Sequence, residues 1–310
     1  MGDRLERSVI RGVMPVAPTV FSDDEGLDLE GQRRVVDYLI AAGVDAICIL
    51  ANYSEQFSLD DDERVAIIDA TMARAAGRVP IAVTTSHFSA RVAAARTRDA
   101  RRRGASIAML MAPFFGTSVR ATEDGVVEYF KRVAGDLDID LMIQDAPMSA
   151  TPLPVSLLAR IAREVPQVRY VKVEVPQAAS KLRSLKVAAA ESLPGLFDGE
   201  EGVTLIHDLD AGAIGTMPSG VVPHELGAVV RTYHAGRRDE AVQEWERILP
   251  LIHFENRHLG LQATKILLKD AGIIACDRVR SPLPTISDAI RGEFRDMVRR
   301  IRPFALDWAG

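Results

Sequence analysis

Along the chain, short apolar runs rich in Val and Ile alternate with longer stretches whose apolar residues recur at helical spacing. Eight such runs occur: "VMPVAPTVF" (13–21), "VDAICILA" (44–51), "VPIAVTT" (79–85), "SIAMLMAP" (106–113), "DLMIQDAP" (140–147), "VRYVKVEV" (168–175), "LPGLFDGE" (193–200) and "GAIGTMPS" (212–219). Each is followed by a helix-like segment, among them "LEGQRRVVDYLIAAG" and "TEDGVVEYFKRVAG", which close on a glycine suited to a helix C-terminus. Repeated strand and helix in this order predict a parallel sheet wrapped by helices. Eight units match the (β/α)8 TIM barrel, whose usual size is roughly 250 residues. The rival, an open doubly wound sheet, lacks a Gly-x-Gly-x-x-Gly turn after its first strand.

Helical periodicity continues past the eighth unit in "RDEAVQEWERILPLIHFENR", "LGLQATKILLKDAG" and "SDAIRGEFRDMVRRIRPF". No low-complexity linker precedes these segments. The expected organisation is therefore a catalytic barrel over residues 1–235 and a helical region over 236–310 packed against it.

Composition narrows the partners. With 310 residues, 47% of them apolar, the chain can bury a substantial core. Its 38 basic and 43 acidic residues give a net charge of -5 with no basic tract, which argues against nucleic acid and for small solutes. Cys48 and Cys276 are too few for a disulfide framework and read as buried thiols in a reducing compartment. The start "MGDRLERSVIRGV" is charged where a signal peptide needs an apolar core, and no run approaches the roughly 18 apolar residues of a membrane span. A cytoplasmic protein without membrane partners is expected. The six histidines form no ligand set, and His253 and His258, five apart, diverge on a helix, so no metal is expected. The Gly-x-Ser-x-Gly elbow of many serine hydrolases is absent too.

In a barrel of this kind, chemistry gathers at the C-terminal strand ends. The sixth run, "YVKVEVP", puts Lys172 and Glu174 two apart on one strand face, with Val171, Val173 and Val175 on the other. Both charged groups should face the lumen. Burial there is expected to lower the lysine pKa and free a neutral amine for attack on a carbonyl, although a structural ion pair fits the same two residues. Other strand ends supply Asn52, Tyr53, Ser54 and Glu55 in "ANYSEQ", His87 in "TTSHFS", Gln144 and Asp145 in "IQDAP", and Asp198, Glu200 and Glu201 in "DGEEG". Asn52 and Ser54 have donors able to hold a carboxylate, while Glu55 either acts as an acid or caps the next helix.

Together these residues resemble the dihydrodipicolinate synthase and N-acetylneuraminate lyase family of class I aldolase-like barrels. The family's Gly-Thr-Thr-Gly-Glu turn falls on Ala51–Glu55, its Tyr-Asn-x-Pro on Gln144–Pro147, and its Schiff-base lysine on Lys172. Departures fall on the chemistry. The proton-shuttling tyrosine of the fifth strand is replaced by Gln144, and a second tyrosine by Phe114 or Phe115 in "APFF". The set "ILANYSEQF", "KVE", "DGEEG", "ENRHLGLQATK" and "GIIACD" is most similar to one branch, the 2-keto-3-deoxy-pentonate dehydratases.

That resemblance implies loss of water from a 2-keto-3-deoxy sugar acid, L-2-keto-3-deoxyarabonate first among them, to give 2-oxoglutarate semialdehyde. Lys172 would form the imine, so no other cofactor is needed. Glu174 would take a C3 proton and return it to the departing C4 hydroxyl, with Glu55 or a water on Gln144 as alternative donors. The Asn52, Tyr53 and Ser54 turn would hold the substrate carboxylate, Tyr53 through its backbone. Hydroxyl recognition would fall to His87, Gly199, Glu200, Glu201 and, if the C-terminal helices reach the rim, Asn256. The family also implies a homo-oligomer, a tetramer. Two other functions stay open at this point: retro-aldol cleavage to pyruvate and an aldehyde, and a non-catalytic barrel that binds keto acids.

Overall fold

A computed structural model describes residues 8–114 and 120–308. All eight expected units are present, although the strands are shorter than the apolar runs. They are β1 (Gly12–Val13), β2 (Ile47–Ile49), β3 (Ile81–Thr84), β4 (Ile107–Met111), β5 (Asp140–Asp145), β6 (Val168–Val173), β7 (Gly195–Asp198) and β8 (Gly215–Thr216). After them come α1 (Leu29–Ala41), α2 (Asp61–Ala75), α3 (Ala90–Arg102), α4 (Glu123–Ala134), α5 (Val155–Glu164), α6 (Ala178–Ala189), α7 (Leu205–Asp210) and α8 (Pro223–His234). The last residues of most runs leave the ladder and become the loops of the catalytic rim.

Every pairing is parallel, in the order β1-β8-β7-β6-β5-β4-β3-β2. Just beyond β1, a parallel bridge between Val16 and Cys48 joins that segment to β2, with Ala17 N donating to Cys48 O at 2.8 Å and Cys48 N to Pro15 O at 2.9 Å. The sheet thus closes into a barrel and has no open edge.

Two apolar layers follow from strand alternation. Met14, Cys48, Met109, Met142, Tyr170, Phe197 and Met217 pack inside the barrel, whereas Val171, Val173 and their counterparts pack outward against the helices. The interior is therefore a filled floor, above which polar residues collect at the strand ends. Local signals set the helix starts: Asp60 accepts from Glu63 N at 2.8 Å while Glu63 accepts from Asp60 N at 3.1 Å, closing a capping box on α2.

Beyond the barrel come α9 (Arg238–Phe254), a π-helical turn (Glu255–Leu259), α10 (Gln262–Asp270), α11 (Asp288–Ile301) and α12 (Phe304–Trp308). They are docked, not free: Trp245 Nε1 donates to Gly202 O at 2.8 Å, and the Tyr38 ring meets Phe304 and Trp308 at 6.2 and 5.9 Å between centroids. The π-turn follows Pro250, which lies inside α9 and breaks the regular ladder. No helix among the described residues is long and apolar enough to cross a membrane.

Candidate active site

Lys172 is the fifth residue of β6 and shares its face with Tyr170, so its side chain rises from the lumen floor. Glu174 lies just past the strand, held in register by Glu174 N donating to Asp145 O at 2.9 Å. Its Oε1 receives both Lys172 Nζ at 2.5 Å and Gln144 Nε2 at 2.8 Å. Gln144, paired in register with Lys172, is completely buried, and its Oε1 has no hydrogen-bond partner among the described residues. These three residues border a cavity of about 220 Å³ that is also lined by Asn52, Tyr53, Glu201 and the loop residues Ala146, Pro147 and Met148.

The charge of Lys172 differs from the sequence expectation. Burial pushes its pKa down, but the adjacent Glu174 and Glu201 carboxyls outweigh that effect, and the net direction is upward. The resting site holds an ammonium paired with Glu174. Glu174, in contact with the Lys172 Nζ, is placed to exchange a proton with it. Cys48, in the lumen nearby, is an inert thiol: burial pushes it up to about 11. Cys276 is a buried free thiol as well.

The remaining expected site residues divide. Tyr53 enters the site with its side chain and not by backbone alone: the ring packs on the lumen cluster. Burial, followed by the carboxyls of Glu201, Glu255 and Glu174, keeps its phenol protonated. Asn52 lines the cavity, and its Oδ1 accepts from Gln56 Nε2 at 2.7 Å. The hydroxyl of Ser54 is already used, donating to Ala17 O at 2.7 Å and accepting from Ala51 N at 3.1 Å, so it shapes the turn instead of facing the cavity.

Glu55 is turned away altogether. Its backbone takes a left-handed φ of 57°, and its buried carboxylate pairs with Lys265 of α10 and accepts from Arg280 N at 2.9 Å. No alternative proton donor stands at that position. His87 is likewise held outside the cavity: its Nδ1 accepts from Ser89 N at 3.0 Å and its ring stacks on Phe88 at 4.4 Å. Asp145 points to the helices and pairs with Lys181 at 2.6 Å.

At the end of β7, Gly199 offers space, not recognition. A Cβ there would stand 2.5 Å from Glu174 Cγ and 2.9 Å from Lys172 Cγ, so only glycine lets the two strands carry those side chains side by side. Glu200 is half-buried near the rim but does not line the cavity. Glu201 does line it, and Asn256 of the π-turn donates to its Oε2 at 2.9 Å. The C-terminal helices thus do reach the site. They also bring Glu255, a buried acid that no local sequence signal marks. Phe114 is half-buried against Phe57, and Phe115 lies outside the described residues.

Comparison with known proteins agrees with this geometry. The model of the dihydrodipicolinate synthetase family matches residues 9–301. The chain is 44% identical over 299 residues to L-2-keto-3-deoxyarabonate dehydratase of Azospirillum brasilense, covering 96% of this chain and 97% of the relative. It is 26% identical over 270 residues to 4-hydroxy-tetrahydrodipicolinate synthase of Methanosphaerula palustris, covering 85% and 88%. The crystal structure of dihydrodipicolinate synthase from Rhodopseudomonas palustris superposes with a TM-score of 0.85 at 26% identity, covering 94% of this chain and 97% of that one. A closed barrel with a buried lysine at the end of its sixth strand, matched by the family model over nearly its whole length, belongs to the dihydrodipicolinate synthetase family.

Proposed function

We propose that the protein dehydrates a 2-keto-3-deoxy sugar acid through a Schiff base on Lys172, with L-2-keto-3-deoxyarabonate as substrate and 2-oxoglutarate semialdehyde as product. The carrying observation is the Lys172, Glu174 and Gln144 group: an amine, a carboxylate and an amide, with no phenol at the fifth-strand position where the family's carbon–carbon chemistry moves its proton. The 44% identity to a dehydratase, over 96% of this chain and 97% of the relative, supports it.

Lys172 gives a proton to Glu174, and its amine attacks the C2 ketone. Glu174 then protonates the departing oxygen of the carbinolamine, leaving a cationic imine and a carboxylate beside C3. The imine draws electrons from the C3–H bond, and Glu174 removes that proton. Expulsion of the C4 hydroxyl follows. The imine is the electron sink, so the reaction needs no cofactor beyond the lysine. The unpartnered Gln144 Oε1 offers an acceptor to a substrate hydroxyl. The first N–H groups of the Asn52–Ser54 turn, which a helix leaves without internal partners, suit the substrate carboxylate.

Mass spectrometry of the product is the direct test. A mass lower by one water with all five carbons retained is expected; pyruvate plus an aldehyde would instead mean aldol cleavage. Glu174→Gln should slow formation of the imine that borohydride traps and, once the imine has formed, lose water elimination by roughly 10²- to 10⁴-fold. Turnover close to wild type would remove Glu174 from its role. The proposal includes a homo-oligomer, a tetramer as the family resemblance implies, and a reducing cytoplasm. Phe57, Phe88 and Met148, each more than half exposed at the catalytic rim, support self-association. The two buried free thiols suit the compartment.

A further inference from the structure

The cavity contains more carboxyl groups than a mechanism with one acid–base residue uses. In the same cavity as Lys172 and Glu174, past the end of the neighbouring strand β7, stands Glu201, 8% exposed and held at a left-handed φ of 55°, with its Oε2 accepting from Asn256 Nδ2 at 2.9 Å. A non-glycine residue in that backbone region stores strain of a kind that gathers at functional sites. Near it lies Glu255, 1% exposed, one of whose carboxyl oxygens has no hydrogen-bond partner among the described residues. Glu255 belongs to a π-helical turn, another feature that recurs at functional sites.

Charge balance separates these acids. Lys172 is the one cation among the described residues that line the cavity, and its ion pair is with Glu174. Several carboxyls packed around one ammonium do not all ionise in a medium of low dielectric, so those that do not pair with it directly tend to keep their protons. Burial lifts the Glu201 carboxyl to about 8, with Glu174 and Asp198 opposing the pull of Lys172 and Asn256. Burial and the nearby Glu201 lift Glu255 well above the usual carboxylate range. Glu201 therefore enters the reaction as a neutral acid that borders the substrate space. Oε1 of Glu174, by contrast, already accepts from Lys172 and Gln144.

We propose that Glu201 is the acid that protonates the C4 hydroxyl as it leaves and the base that then removes a C5 proton. The proposal rests on the dehydratase reading above and deepens it by dividing the acid–base work between two carboxyls. The steps balance. Glu174 takes a proton from C3, and the C4–O bond breaks as Glu201 gives its proton to the hydroxyl, releasing water. Glu201, now a carboxylate, takes a proton from C5 of the conjugated imine to form a dienamine that carries an enol at C5. Glu174 returns its proton to C3. The enol moves its hydroxyl proton to C4 and becomes the aldehyde, and water hydrolyses the imine to free Lys172. Each carboxyl ends in its starting state, and one water is lost overall.

The test compares Glu201→Gln with wild type in three measurements. The first is borohydride trapping of the imine. The second is solvent deuterium exchange at C3 of 2-oxobutyrate, which needs the imine and a base but no leaving group. The third is elimination from the 4-hydroxy substrate against fluoride release from its 4-deoxy-4-fluoro analogue, because fluoride departs without a proton. Glu201→Gln should keep trapping and exchange, lose hydroxyl elimination by roughly 10²- to 10⁴-fold, and release fluoride at close to the wild-type rate. Glu201→Asp, which keeps an acid but draws it back, should slow hydroxyl elimination less and leave fluoride release unchanged. Equal loss with both leaving groups, loss of exchange, or wild-type hydroxyl elimination by Glu201→Gln would each overturn the assignment. A wild-type enzyme that makes pyruvate and no dehydrated acid would overturn the dehydratase reading itself, before any variant is made.

Discussion

Replacing Lys172 by alanine should lower turnover by roughly 10⁴-fold or more and remove the adduct that borohydride traps with a 2-keto acid. Among the described residues nothing else in the cavity lining is an amine that could take over. The variant also leaves the partly buried Glu174 with Gln144 as its remaining side-chain partner, so some loss of stability accompanies the loss of function. Lys172→Arg separates the two effects. A guanidinium keeps the positive charge beside Glu174 but is not a usable nucleophile, so this variant should fold and bind keto acid without forming an adduct. Peptide mapping after reduction provides the check. A label on any residue other than Lys172 in the wild-type protein would overturn the assignment.

The second large effect is on stability. Lys265→Met should destabilise the fold by about 3–5 kcal/mol, the usual result of removing one member of a buried ion pair. For a chain of this size that corresponds to a melting temperature lower by roughly 5–8 °C. Lys265 is fully buried, pairs with Glu55, donates to Arg278 O at 2.8 Å and lies 4.4 Å from the centre of the Phe21 ring. Removing the ammonium leaves the Glu55 carboxylate inside the protein with Arg280 N as its remaining donor. Adding Glu55→Gln should restore much of the loss, because an uncharged pair no longer buries an uncompensated charge. Glu55 directly follows the Asn52–Ser54 turn, so Lys265→Met should also raise KM for the keto acid more than it lowers kcat. A melting temperature within about 1 °C of wild type would mean the pair does not hold that turn.

How much of this was legible in the chain depends on the range of each interaction. Alternation of strand and helix is written locally, in periods of two and of 3.6 residues, and so the eight barrel units could be read in order. The same period of two placed Lys172 and Glu174 on one face and the valines on the other. Gln144 could be aligned with the family's tyrosine because the fifth strand carries its own landmark, "IQDAP".

Charge states and partners were not legible. Lys172 was expected to lose its proton through burial, but its ionisation also depends on Glu201, 29 residues later and on another strand end. Glu55 looked available for catalysis until Lys265, 210 residues away in sequence, claimed it. Ser54 and His87 look suited to substrate binding by residue type, yet backbone groups occupy the Ser54 hydroxyl and His87 Nδ1. Asn256 and Glu255 come from helices outside the barrel and reach the cavity only when those helices dock. Residue order thus specified the barrel, the lumen-facing lysine and the missing phenol, because each depends on local periodicity or a local motif. Which carboxyls carry charge, and which of them face the substrate, depends on electrostatics between groups that meet only when the barrel closes and the C-terminal helices pack on it.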